Sequence, residues 1–214
     1  MTITIKYATL GIAATNAYLV GDEETNEAIL IDPVDQADLL KKMADDSGWT
    51  IKLILATHAH FDHVLASKAL KELTGAPFYI HSEAAQYLKT LPESGLRFTG
   101  SKFPEAAIPN RLLTTDPETL ELGAIKLETL YTPGHAPGHL AFYMRDQGIV
   151  FSGDSLFQGT VGRTDLPGGS HALLIQMIRE KLLTLPDETK VLPGHGDPTT
   201  IGQERRTNPF LKGS

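Results

Sequence analysis

Short apolar runs with strand-like alternation give way repeatedly to stretches with helical spacing. In the first half the pattern predicts strands at 2–7, 16–21, 27–31, 51–56 and 77–80. Between them, Gln36 to Asp46 places Leu39, Leu40 and Met43 on one helical face, with Asp35 as N-cap and Gly48 as the stop. A second helix is predicted at 64–73, ending at Gly75, and a third at 82–89. Residues 91–119 carry Pro92, Gly95, Gly100, Pro104, Pro109 and Pro117 with little periodicity, and so read as a long irregular excursion. Beyond it the alternation returns, with strands at 119–122, 124–131, 139–144, 148–152 and 189–192. A helix over 170–183 sets Leu173, Leu174, Met177, Ile178 and Leu182 on one face behind Ser170 as N-cap. Alternating strands and helices predict an α/β chain. The two halves share the same order of elements, which hints at a duplicated unit around one core.

The density of chemistry at one strand end changes this picture most. The buried run Ile51–Ala56 leads straight into Thr57-His58-Ala59-His60-Phe61-Asp62-His63, which has four potential metal ligands within six residues. Imidazole and carboxylate together suit zinc, iron or manganese. The motif has three partners of similar grammar. Strand 127–131 runs into Thr132-Pro133-Gly134-His135, strand 148–151 into Ser152-Gly153-Asp154, and strand 190–192 into Pro193-Gly194-His195. Each buried strand ends at a glycine-containing turn followed by His or Asp. Five His and two Asp exceed what one tetrahedral ion uses and are about enough for two ions sharing a carboxylate and a water. Because these candidates lie on both sides of 91–119, a single domain over 1–214 is expected.

Composition narrows the function classes. With 41% apolar and 21% charged residues the chain is of ordinary globular type, and no apolar run reaches the length of a membrane span. The start alternates polar and apolar residues without a signal-peptide pattern, and there is no cysteine, so a cytoplasmic location is expected. The missing cysteine excludes disulfides, thiolate ligands and a cysteine nucleophile. A net charge of −7 argues against nucleic acid or an anionic membrane as main partner, leaving a small molecule.

These stretches together resemble the metallo-β-lactamase superfamily over nearly the whole chain, from Asp32 after strand 27–31 to His195. Within it the likeness is to the short glyoxalase II-like hydrolases. It is carried by Thr132-Pro133-Gly134-His135-Ala136-Pro137-Gly138-His139, Gly153–Gly159, Gly162-Arg163-Thr164-Asp165, Pro193–Gly196 and the tail Glu204–Phe210. The resemblance implies a four-layer αβ/βα sandwich with two divalent ions along one edge, zinc foremost and iron or manganese also accommodated. It implies His58, His60 and His135 on the first ion, Asp62, His63 and His195 on the second, and Asp154 bridging both. On a single-metal site Asp62 would instead serve as a general base. Arg163 matches a basic substrate-contacting position. The glutathione-reading helical domain of full-length glyoxalase II enzymes is not expected, since the chain ends 19 residues after His195.

The implied reaction is hydrolysis of S-D-lactoylglutathione or a related hydroxyacyl-thioester by metal-bound hydroxide. Coordination lowers the pKa of water from about 15.7 to about 7, or about 12 kcal/mol, whereas a lone general base supplies some 3–5 kcal/mol. A thiolate then departs with little need of a general acid. The alternative is a mononuclear iron persulfide dioxygenase acting on glutathione persulfide and using His58, His135 and Asp154. It does not need His63 and His195, both present here. A β-lactamase is less expected, since its zinc site normally includes a cysteine. Among the remaining residues, His139 is expected to support a ligand or fill the core. His81 and His171 are expected at the surface or as caps, Leu65 in packing, and Arg205 and Arg206 on a solvated helix face. The excursion 91–119, with Arg97, Phe98, Lys102 and Phe103, is a candidate substrate wall or an inert loop.

Overall fold

Six strands built from the apolar runs of the first half form one sheet in simple sequence order. They are β1 (Ile3–Leu10), β2 (Thr15–Asp22), β3 (Glu27–Ile31), β4 (Thr50–Leu55), β5 (Phe78–His81) and β6 (Arg111–Leu113). The first three pair antiparallel, whereas β3 to β6 pair parallel. Parallel strands need crossovers. Helix α1 (Ala37–Asp46) supplies one between β3 and β4, while α2 (Phe61–Val64) and α3 (Ser67–Thr74) lie between β4 and β5. Every position of β2 is buried, as expected of a strand covered on both faces. Leu19, Leu30, Ile54, Phe78 and Ile80 share one core with Leu40 and Ala44 of α1 and Leu70 of α3. This computed structural model describes residues 2–114 and 118–212.

Several expectations are corrected here. Asp35 does not cap α1; its carboxylate accepts from the neighbouring Gln36 amide, and Gln36, in a left-handed conformation, takes the cap position without a side-chain bond. Leu39 faces solvent, so the apolar stripe is narrower than read. The helix predicted at 64–73 is two pieces, because the Ala66 amide bonds to the Pro33 carbonyl and leaves the helical ladder. Residues 82–89 form α4 (Ser82–Ala85) and then a 3-10 turn over Gln86–Thr90. The irregular excursion instead begins with helix α5 (Leu91–Thr99). Pro92 sits in its first turn, where no amide donor is needed. Gly95 is there for close approach, since a Cβ would collide with the Phe103 backbone amide and the Ser101 carbonyl. Residues 115–117 of that stretch lie outside the described residues.

The second half builds another six-stranded sheet. In chain order its strands are β7 (Thr119–Leu122), β8 (Ile125–Tyr131), β9 (Leu140–Met144), β10 (Ile149–Gly153), β13 (Lys190–Pro193) and β14 (Thr199–Thr200). Between β10 and β13 come a small hairpin, β11 (Leu156–Phe157) and β12 (Thr160–Val161), and helix α6 (His171–Met177). Helix α6 continues as a π-helical run over Ile178–Leu182, and α7 (Ile201–Thr207) closes the order. Strands β10 and β13 pair parallel; β8–β9, β9–β10 and β13–β14 pair antiparallel. Ser170 caps α6 as expected, and Leu174, Ile178 and Leu182 join Tyr143, Val150, Val191 and Ile201 in one core. Leu173 is exposed, against expectation.

By contacts the chain divides into two compact units, Met1–Thr114 with Glu121–Ile125, and Thr115–Leu120 with Lys126–Ser214. The β7–β8 turn belongs with the first, where the Ala124 amide donates to Asp22 Oδ2 at 2.8 Å. Each unit therefore repeats one plan: antiparallel strands, then a parallel pair (β3 with β4, β10 with β13) joined through helix. Among the described residues no helix is long and apolar enough to cross a membrane.

Candidate metal centre

In both units candidate ligands follow the C-terminal ends of the parallel pair, where open α/β sheets place their ligands, and His135 follows the end of β8. In the first unit the key side chain is Asp32, just beyond β3. It is buried, and its φ of 58° lies in the left-handed region that Asp tolerates. Its carboxylate accepts from the Thr57 amide at 2.7 Å, the Thr57 hydroxyl at 2.9 Å and His63 Nδ1 at 2.8 Å. Thr57 Oγ1 gives its only proton to Asp32, so at 3.0 Å from His58 Nδ1 it must accept. Asp32 thereby fixes two tautomers, directly for His63 and through Thr57 for His58. Both rings hold their proton on Nδ1 and turn an Nε2 lone pair outward, the arrangement of metal-ligating histidines.

The rest of the run gathers around these two rings. His58 Nε2 is 3.0 Å from His60 Nδ1, and the His58 and His63 ring centroids are 4.1 Å apart. Asp62 Oδ2 lies 3.5 Å from His63 Nε2 and accepts from the Thr15 hydroxyl at 2.8 Å. His58 and His63 are buried, His60 and Asp62 half-buried. Four lone-pair donors thus converge within eight residues of β4.

The second unit has three candidate ligands of its own. Asp154 Oδ2 lies 3.5 Å from His135 Nε2 and 3.3 Å from His195 Nε2. His135 donates from Nδ1 to the Arg163 carbonyl at 2.7 Å, which again leaves Nε2 as the lone pair. The buried His139 supports Asp154: its Nε2 accepts the Asp154 amide at 3.0 Å while its Nδ1 donates to Thr132 Oγ1 at 2.9 Å. The Gly194 amide bonds to the Gly153 carbonyl at 2.8 Å, tying the two ligand turns together. A Cβ at Gly162 would collide with the Asp154 carbonyl and press on His135 Nδ1, so only glycine lets this loop pass.

Other sequence expectations find their places. Arg163 reaches His135 through its backbone only. Its guanidinium is exposed and doubly bonded to Asp165 at 2.8 and 2.7 Å. Those bonds hold the Asp165 carboxyl down at about 2 and raise Arg163 further. His81 caps α4 by accepting the Glu83 amide but is buried rather than at the surface, whereas His171 is exposed. Leu65 packs on the first core, and Arg205 and Arg206 lie on an exposed helix face, both against Asp187. Sequence reading missed Thr15 altogether, the close approach made by Gly162, and the bonds made by Asp32 and Thr57.

All the donors are imidazole nitrogens or carboxylate oxygens, and each ring whose proton can be placed is held by an outer acceptor. This chemistry fits a divalent metal ion. A family model for the metallo-beta-lactamase superfamily matches residues 10–195, and so spans both ligand sets. The chain belongs to the metallo-β-lactamase superfamily. It is 42% identical to hydroxyacylglutathione hydrolase GloC of Haemophilus influenzae over 92% of each chain. Among solved structures it resembles the BLEG-1 B3 metallo-β-lactamase with TM-score 0.92 and 40% identity, covering 98% of this chain and 100% of that one. It also resembles TTHA1623 in a di-iron-bound form, with TM-score 0.86 and 42% identity over 96% and 100%. ETHE1 from Myxococcus xanthus follows at TM-score 0.81 and 30% identity over 99% and 86%. The chain therefore has the metallo-β-lactamase fold and is an enzyme of that hydrolase superfamily, with a candidate His/Asp site for divalent metals.

Proposed function

We propose that this superfamily member is a metal-dependent thioester hydrolase acting on S-D-lactoylglutathione or a related hydroxyacyl-thioester. His58, His60 and His135 would hold one ion, Asp62, His63 and His195 a second, with Asp154 shared. On this reading residues 1–214 act as a single domain. The observation that carries it is the tautomer control: Asp32, Thr57 and the Arg163 carbonyl each hold an Nδ1 proton on a candidate ligand. The 42% identity to GloC supports the substrate class. When bound, such ions supply an activated water near neutral pH and polarise a carbonyl.

The chain's own groups do the rest. Thr15 sets the direction of the Asp62 carboxylate, and the His139 bond to the Asp154 amide fixes that backbone. A thiolate leaving group has a pKa of about 8.5 and departs without a general acid, so no such residue is assigned. Arg163 would meet a substrate carboxylate, which must displace Asp165 from the guanidinium. Zinc is the proposed metal, although the likeness to a di-iron protein supports iron equally in the same ligands. A cytoplasmic setting completes the reading.

The likeness to ETHE1 favours one second reading, the iron persulfide dioxygenase. Protein of measured metal content separates them. Two ions per chain, thiol release from S-D-lactoylglutathione and no oxygen uptake support hydrolysis. One iron with oxygen uptake on glutathione persulfide supports the oxygenase and overturns the proposal. A β-lactam is the third substrate, chosen for the likeness to BLEG-1.

A further inference from the structure

Glu204 is a buried carboxylate that the proposed chemistry does not use. It is completely inaccessible, on the inner side of α7, and its hydrogen-bond donors among the described residues are neutral. Thr199 Oγ1 donates to its Oε1 at 2.6 Å, while the Gly159 amide and Asn208 Nδ2 donate to its Oε2 at 2.9 and 2.8 Å. Asn208 Nδ2 also reaches the Thr160 carbonyl at 3.0 Å. Burying a carboxylate without a cation is expensive, and a purely structural tie could be made by apolar packing instead. What these two residues grip is the turn of the β11–β12 hairpin.

That hairpin and the two residues that follow it touch all three candidate ligands of their unit. The hairpin starts two residues after Asp154. Gly162, which follows it directly, lies against the Asp154 carbonyl and His135 Nδ1. The next residue, Arg163, offers the carbonyl that holds the His135 proton. Phe157, in its first strand, sets its ring edge-to-face on His195 with centroids 6.0 Å apart. A shift of the hairpin therefore moves the surroundings of His135, Asp154 and His195 at once.

We infer that Glu204 and Asn208 are positioning residues for the candidate metal centre, acting through the β11–β12 hairpin on His135, Asp154 and His195. This rests on the ligand assignment proposed above. Outer partners of metal ligands are worth 10–100-fold in affinity or activity when removed. Glu204→Leu and Asn208→Ala are each expected to weaken metal binding by that factor, measured by chelator competition. Glu204→Gln keeps one carbonyl oxygen for Gly159 and Asn208 and can turn its amide to Thr199, so it should retain near-native affinity. Thr199→Val loses only the bond that does not reach the hairpin and should do the same.

Two further measurements separate positioning from stability. Leu182→Ala removes a buried side chain of the second unit's core but none of the hydrogen bonds that hold the hairpin turn. It should lower Tm at least as much as Glu204→Leu while leaving metal affinity unchanged. In metal-free protein, the Gly159 amide should lose hydrogen-exchange protection in Glu204→Leu and keep it in Glu204→Gln. Equal affinity in wild type, Glu204→Leu and Asn208→Ala overturns the inference, as does an affinity loss in Leu182→Ala matching theirs. If instead Asp154→Ala and His195→Ala bind metal like wild type, the ligand assignment itself fails, and this inference with it.

Discussion

Replacing Asp32 by Asn tests whether the tautomers of His58 and His63 are set from behind. Asn occupies the left-handed conformation as readily as Asp, so the backbone at φ 58° is left undisturbed. Only the charge and one acceptor change. Asp32 Oδ1 takes the Thr57 amide, while Oδ2 takes both the Thr57 hydroxyl and His63 Nδ1. If the new amide nitrogen stands at Oδ2, it confronts the His63 Nδ1 proton and drives that proton to Nε2, where it occupies the lone pair meant for the metal. If it stands at Oδ1, it confronts the Thr57 amide. Each arrangement loses at least one buried, charge-assisted bond, worth about 1.5–3 kcal/mol. In a chain of this size that lowers Tm by about 3–12 °C at 2–4 °C per kcal/mol. Metal affinity should fall about 10–100-fold, as for other outer partners of ligating histidines. Chelator competition reads the affinity, and nitrogen-15 spectra of the imidazoles read the tautomers in metal-free protein. A variant that binds metal like wild type and keeps the His63 proton on Nδ1 refutes the reasoning.

Further outcomes follow from the same geometry. His58→Ala or Asp62→Ala should abolish thioester hydrolysis while leaving the circular dichroism spectrum native; unchanged turnover in either removes that residue from the site. Gly162→Ala should disturb both Asp154 and His135, lowering metal affinity at least 10-fold with a change in Tm of a few degrees. Asp22 accepts from the Ala124 and Glu24 amides, which hold its carboxyl below the ordinary range. Its stabilisation is therefore complete above about pH 4 and lost as pH falls through the lowered value. The stability difference between wild type and Asp22→Asn should be constant at neutral pH and shrink only in strong acid; a difference that grows on acidification contradicts this.

The sequence disclosed the sheets and the local clustering of candidate ligands well, because both depend on local signals. Buried strands such as 27–31 carry runs of Ala, Ile and Leu that no helix or loop would use here. The run His58 to His63 announces itself by density. What it hid was decided by distant partners. The break between α2 and α3 is made by the Pro33 carbonyl taking the Ala66 amide, a contact across more than thirty positions. Helix α5 was obscured because Gly95 looks like a breaker, although its lack of a Cβ serves the Phe103 backbone. Thr15 lies 47 residues from Asp62, and no spacing rule connects them. Asp35, the nearer carboxylate, looked like the cap of α1 and proved to bond its neighbour, whereas Asp32 does the structural work.

The repeated plan of the two units explains why Asp32 and Asp154 take different roles from similar places. Both follow the first strand of a parallel pair. In the first unit Asp32 itself takes the left-handed turn, and its carboxylate accepts donors at the end of β4 and in the helical run beyond it. In the second unit the preceding Gly153 takes that turn, at φ 50°, and Asp154 is carried one position further. Its carboxylate then stands between His135 and His195 rather than behind them. The difference of one residue in where the chain turns separates a carboxylate that orients candidate ligands from one that is itself a candidate ligand. Exchanging the order, as in Gly153→Asp with Asp154→Gly, should therefore abolish metal binding while retaining both residue types. Retained binding in that double variant would show that the position of the turn does not matter.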